Sequence, residues 1–94
     1  MGDNALLLNT TGTTNTAVGH DCLEQNTTAS NNSAFGYEAL KSNTTGTQNV
    51  AVGASALQSN TTANENTAVG YFAAVANTTG AANTVMGHNS FDAN

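Results

Sequence analysis

Glycines stand at positions 2, 19, 36, 53, 70 and 87, each seventeen residues from the last with no insertion anywhere. A 94-residue chain with that ruler must build one local conformation over and over. Numbering each repeat from its glycine makes the columns plain. Column 5 reads Leu6, Leu23, Leu40, Leu57, Ala74, Phe91, and column 8 is Asn throughout: Asn9, Asn26, Asn43, Asn60, Asn77, Asn94. Columns 9 and 10 are Thr from Thr10-Thr11 to Thr78-Thr79, and column 11 alternates Gly12, Ala29, Gly46, Ala63, Gly80. Column 14 is Asn15, Asn32, Asn49, Asn66, Asn83. Column 16 is Ala17, Ala34, Ala51, Ala68, Val85, and column 17 is Val18, Phe35, Val52, Val69, Met86.

Seventeen residues are too few for a helix pair and too regular for a linker. They fit one coil of an all-β, parallel β-solenoid (a β-roll). The predicted coils are 2–18, 19–35, 36–52, 53–69 and 70–86, with a partial sixth over 87–94, all in one array. Columns 14–17 use β-compatible residues and predict a strand ending at glycine; columns 4–6 predict a second short strand, and Asn-Thr-Thr-Gly a corner. Gly19, Gly36, Gly53 and Gly70 would supply positive φ or close backbone approach. Coils stacked at ~4.8 Å put identical columns above one another. Asn26, Asn43, Asn60 and Asn77 would then form a ladder, bonding along the stack or capping turns.

Composition decides what kind of protein this is. Asn (15), Thr (16) and Ala (16) make half the chain, and large apolar residues are few, so a conventional core is thin. Charged residues are only 7%, which separates the chain from charge-swollen disordered tails. Lys41 is the sole basic residue against six acids, for a net charge of −5. Nucleic acid and anionic membrane surfaces both need clustered Lys and Arg and are excluded as partners. No run approaches the ~20 apolar residues of a membrane span, so no membrane insertion is expected. The Ala5–Leu8 stretch lacks the basic start and the length of a signal peptide. A single cysteine, Cys22, gives no internal disulfide and no cysteine-based zinc site.

The expected core is columns 5 and 17: Leu6, Leu23, Leu40, Leu57, with Val18, Phe35, Val52, Val69 and Met86. Column 16 neighbours column 17 and should face the other way. It is nevertheless always Ala or Val, and column 4 is similarly small. Ala17, Ala34, Ala51, Ala68, Ala39 and Ala56 are therefore expected on a second face packed against another copy of the chain. Columns 2, 3, 6, 7, 12 and 13 read as outward positions. The fifth repeat departs from the rest: Ala74 replaces Leu, and Phe72 or Val75 is expected to fill the lost volume or touch another chain.

The run Asn-Thr-Ala-Val-Gly-x-x-Ala-Leu-x-x-Asn-Thr-Thr-Gly resembles the glycine-punctuated repeats of trimeric phage tail fibres and related bacterial surface fibres. Asn66-Thr67-Ala68-Val69-Gly70 is similar to the strand of trimeric autotransporter adhesin heads, which are parallel β-rolls packed as trimers. The resemblance spans Gly2 to Asn94. It implies a homotrimer, an extracellular place on a virion or cell-surface fibre, and a role in host or surface attachment. No chaperone or anchor sequence accompanies the repeats, so a segment of a longer fibre is expected.

Against that stand the residues that could carry chemistry. His20 and His88 share column 2 but lie four coils apart, ~19 Å by the stacking distance, too far for a shared metal. Cys22 sits in a small-residue column and reads as a buried thiol. Asp21 and Glu38 stack in column 3 and could clip a cation, but calcium-binding rolls carry Asp in every turn and this chain does not. Glu24 and Lys41 read as a surface pair; Tyr37 and Tyr71 as exposed rings that could meet a sugar or a partner. The Asn-Thr-Thr corners double as glycosylation sequons, though an invariant corner favours a backbone role. No catalytic, cofactor or metal residues are assigned, and the chain reads as a non-enzymatic fibre segment (shaft, spacer or adhesive head). The competing reading is a solenoid that binds ice or a glycan on its repeated Thr/Asn face.

Overall fold

The computed structural model describes residues 2–88. Each coil contributes one three-residue strand: β1 (Thr16–Val18), β2 (Ser33–Phe35), β3 (Val50–Val52), β4 (Thr67–Val69) and β5 (Thr84–Met86). They form one parallel sheet in sequence order, with Ala17 opposite Ala34, Ala34 opposite Ala51 and Ala51 opposite Ala68. Every pairing is offset by seventeen residues. The fold is the all-β parallel solenoid, and no helix occurs among the described residues.

The second strand expected at columns 4–6 is absent; those residues are turns. Within one coil Ala39 N bonds Gly36 O, Lys41 N bonds Glu38 O and Asn43 N bonds Leu40 O. The amides alternating with them, Glu38 N, Leu40 N and Ser42 N, bond instead to the neighbouring coils at His20 O, Ala56 O and Gln58 O. Alternating amides thus close local turns and join the stack. Columns 3, 5 and 13 all lie at positive φ without being glycine: Glu38 at 59°, Leu40 at 52°, Gln48 at 60°. For a leucine this costs about 1–2 kcal/mol, and full burial of the side chain, worth ~1.5–3 kcal/mol, offsets it. Leu23, Leu40 and Leu57 are all buried.

That backbone overturns two expectations about the core. Column 17 does not point inward: Val18, Phe35, Val52 and Met86 are exposed and Val69 is half-buried. Column 16 does: Ala17, Ala34, Ala51 and Ala68 are buried, as are Ala39 and Ala56 of column 4. Those six alanines offer no face to a partner chain. The physical reason is the width of the coil. Cys22 Sγ of column 4 lies 3.1 Å from Ala34 O of column 16, so the two walls meet there across the interior. Only small side chains fit between walls that close, and strand alternation then sends column 17 outward. Columns 4 and 5 can both face inward because the left-handed column 5 residue breaks the alternation.

The other half of the interior is polar. Asn26, Asn43, Asn60 and Asn77 form the column 8 ladder: Asn43 Nδ2 donates to Asn26 Oδ1 (3.0 Å) and to Gly46 O (2.9 Å), and Asn60 Nδ2 donates to Asn43 Oδ1 (3.0 Å). Column 14 makes a second ladder of different construction. Asn49 N donates to Asn32 Oδ1 (2.9 Å), while Asn49 Nδ2 reaches Ala63 O in the next coil (2.9 Å). No buried side-chain nitrogen or oxygen among the described residues lacks a partner.

Glycine matters most in column 1. A Cβ on Gly36, at φ 130°, would sit 2.7 Å from the Gly53 carbonyl carbon. Column 11 behaves differently in odd and even coils. In the third coil the amides of Thr44, Thr45 and Gly46 converge on Thr61 O at 2.9, 3.2 and 3.3 Å, and a Cβ on Gly46 would meet Ala63 O at 2.3 Å. Thr47 N, in the same coil, is capped by Asn64 Oδ1 at 2.8 Å, as Thr13 N is by Ser30 Oγ at 2.9 Å. Column 12 is therefore not a free outward position: an even-coil side chain caps an odd-coil amide.

In the fifth coil Ala74 is buried, and Phe72 and Val75 are half-buried. The Phe91 and Asn94 positions lie outside the described residues. Leu7 and Leu8 are exposed.

Candidate functional site

Two surfaces carry features that stacking alone does not require. The first is the outer face of the sheet, where columns 15 and 17 point away from the core. Column 17 presents Val18, Phe35, Val52, Val69 and Met86 as a single ridge, with Phe35 41% exposed at the end of β2. Column 15 beside it is Thr16, Ser33, Val50, Thr67 and Thr84, and on the other side lies the glycine column. No charge stands on this face in a chain of net charge −5. The sequence indicated an apolar, uncharged face but placed it on the wrong side of the strand; the small size of column 16 was the available sign, since small residues mark the narrow inside as readily as a close interface.

The second surface is a charged and aromatic edge built from columns 2, 3 and 6. Asp21 is only 8% exposed and accepts from Asn4 Nδ2 at 3.0 Å; His20 Nε2 stands 3.4 Å and Lys41 Nζ 3.6 Å from its Oδ2. The Asn4 hydrogen bond, aided by the charges of His20 and Lys41, holds the Asp21 carboxyl below the usual carboxylate range against the opposing effect of desolvation. Lys41 also bonds Glu38 Oε2 at 3.3 Å, and Glu38 Oε1 accepts from Gln58 Nε2 at 2.7 Å. The Glu38 hydrogen bond and charge raise the Lys41 ammonium above its ordinary value. The partnership expected between Glu24 and Lys41 is thus replaced: Lys41 takes Asp21 and Glu38, and Glu24 adds only a weaker attraction. The cation lodged between the two column 3 carboxylates is this ammonium.

Along the same edge the rings stack. His20 and Tyr37 are parallel, 7° apart, with centroids at 5.5 Å; Tyr71 stacks on Phe72 at 4.4 Å and meets the His88 ring edge-on at 5.0 Å. Glu38 raises the Tyr37 hydroxyl pKa, first by its charge and then by accepting its hydrogen bond. His20 therefore belongs with Asp21 and Tyr37.

The remaining candidates are structural in position. Cys22 is buried and desolvation pushes its thiol up, away from the reactive thiolate. The sequon asparagines Asn26, Asn43, Asn60 and Asn77 are buried with their Nδ2 groups engaged, whereas Asn31, of the additional sequon Asn31-Asn32-Ser33, is exposed. The Thr44 hydroxyl turns to Thr61 O, whereas Thr45 is exposed, so the two Thr columns do not share one flat face. A concavity of about 630 Å³ lined by Gly2, Ala5, Leu6, Asn15, Thr16, Ala17 and Val18 is the array interior seen at its first coil. Among the described residues no three His, Cys, Asp or Glu side chains converge as a metal site, and no helix is long and apolar enough to cross a membrane.

No protein-family model, curated protein or solved structure matches this chain.

Proposed function

We propose that the chain is a non-enzymatic structural segment of a homotrimeric fibre, displayed on a virion or cell surface for attachment, whose copies meet along the column 17 ridge. The observation that carries this reading is the ridge itself: five exposed or half-buried apolar side chains in register on an uncharged strand face. Its width favours three copies. One column between glycine and threonine is narrow for a broad two-sheet sandwich, but three such ridges converge on a common axis and bury each other in layers. Parallel chains would then place three Val52 side chains at one level and three Phe35 side chains at the next. The acids lie mainly on the other edge, so this approach brings no carboxylates together.

Light scattering tests it. The native chain is expected at three times its 9.4 kDa mass. Val52→Lys, on the ridge, should yield a folded monomer, and Gln25→Lys, on an exposed column 7 position, should leave the assembly intact. A native chain running as a 9.4 kDa monomer, or a Val52→Lys variant that stays assembled, overturns the reading.

A further inference from the structure

The Tyr37 ring is held like a platform. One face lies against the parallel ring of His20 in the preceding coil, centroids 5.5 Å apart, and the side chain is still half open to solvent. Its other face looks toward the fourth coil, where column 2 is Ala54 and supplies a methyl group instead of a ring. No second ring meets Tyr37 among the described residues. The polar groups beside the platform are also fixed. Gln58 Nε2 and Lys41 Nζ hold the two oxygens of Glu38, and Lys41 is itself tied back to Asp21.

We infer that the open face of Tyr37, above Ala54 and bounded by Glu38 and Gln58, is a binding site for one neutral pyranose ring of a carbohydrate. Three features select that class. A half-exposed aromatic face takes the C–H side of a sugar ring, and stacking of its opposite face on His20 lowers the ordering cost. Glu38 and Gln58 are planar acceptor and donor groups at its rim, suited to vicinal hydroxyls. Anions are disfavoured: the chain is at −5, and Lys41, its one basic side chain, already pairs with two carboxylates. A single platform binds weakly, on the order of millimolar, and copies held together would raise that through effective concentration.

The site does not depend on the assembly reading, whose test is the mass in solution. The probes are methyl glycosides of glucose, galactose, mannose and N-acetylglucosamine, titrated onto the full chain and followed by NMR. At least one should give saturable shifts confined to Tyr37, Glu38, Ala54, Ser55 and Gln58. Tyr37→Leu, which keeps an apolar side chain but removes the π face, should weaken binding about tenfold or more. Ala54→Phe should do the same by filling the open face, and Tyr71→Leu should change nothing; matching amide spectra would establish that each variant is folded. Absence of saturable shifts with every probe, or binding unchanged in both Tyr37→Leu and Ala54→Phe, overturns the inference.

Discussion

The Cys22 thiol lies 3.1 Å from the Ala34 carbonyl on the opposite wall of the same coil. That single contact fixes the thickness of the interior at its narrow side. Ala39, Ala56 and Ala73 repeat the Cys22 position up the stack and Ala51, Ala68 and Val85 repeat that of Ala34, all within one buried cluster.

Enlarging that side should be costly even though every added atom is apolar. Ala51→Leu is expected to destabilise by about 1–3 kcal/mol or more through overpacking. Val52→Ala, its outward neighbour, should change the unfolding free energy of the isolated chain by well under ~1 kcal/mol. Urea titration of both variants at a concentration where the chain is monomeric checks the order, and an equal loss at the two sites would contradict the packing described.

The Asn ladder makes a second prediction. Asn43 bonds upward to Asn60, downward to Asn26 and sideways to Gly46. Asn43→Leu preserves approximate volume but strands several buried polar groups at about 1–3 kcal/mol each. Loss of cooperative folding is expected by circular dichroism, whereas Gln25→Leu, exposed in column 7, should remain folded.

Acid should loosen the charged edge. The folded pKa of Asp21 is depressed, so its contribution is present above the unfolded carboxylate pKa and is lost as pH falls through the lower folded value. Lys41 has the opposite sign: its raised folded pKa contributes fully below the unfolded value and is lost only at strongly alkaline pH. Melting temperature should therefore fall on acidification through the lower carboxylate range. Asp21→Asn should flatten that slope without steepening the alkaline limb.

Column 11 offers a paired test. Gly46→Ala should destabilise, since the new methyl would meet Ala63 O at 2.3 Å, while Ala63→Gly should cost at most ~1 kcal/mol of backbone entropy. Differential scanning calorimetry of the two reciprocal variants separates them; equal effects would mean that odd and even coils are interchangeable.

The period was legible because glycine and asparagine obey rules set by backbone geometry and hydrogen-bond satisfaction, which recur unchanged in every coil. The buried Leu23, Leu40 and Leu57 were legible for their size. The direction of Val52 relative to Ala51 was not. Two adjacent strand residues must face opposite ways, but only the coil's width says which one is inside, and that width follows from left-handed turns at residues such as Leu40 that β-propensity does not anticipate. The Asp21–Lys41–Glu38 network was hidden for a related reason: the side chains come from different columns, and column stacking alone pairs only like with like.

The odd and even coils have a bearing on inheritance. Gly12, Gly46 and Gly80 recur every 34 residues, and each of the first two lies against the carbonyl of an alanine-bearing coil, Ala29 or Ala63. Removing a single coil would set two coils of the same kind side by side: an odd amide such as Thr47 N would lose the Asn64 cap it has now. Removing two preserves every such contact. Gene duplications and deletions that keep an array of this design intact should therefore come in steps of 34 codons, and a lineage that gained or lost 17 would carry compensating changes at columns 11 and 12.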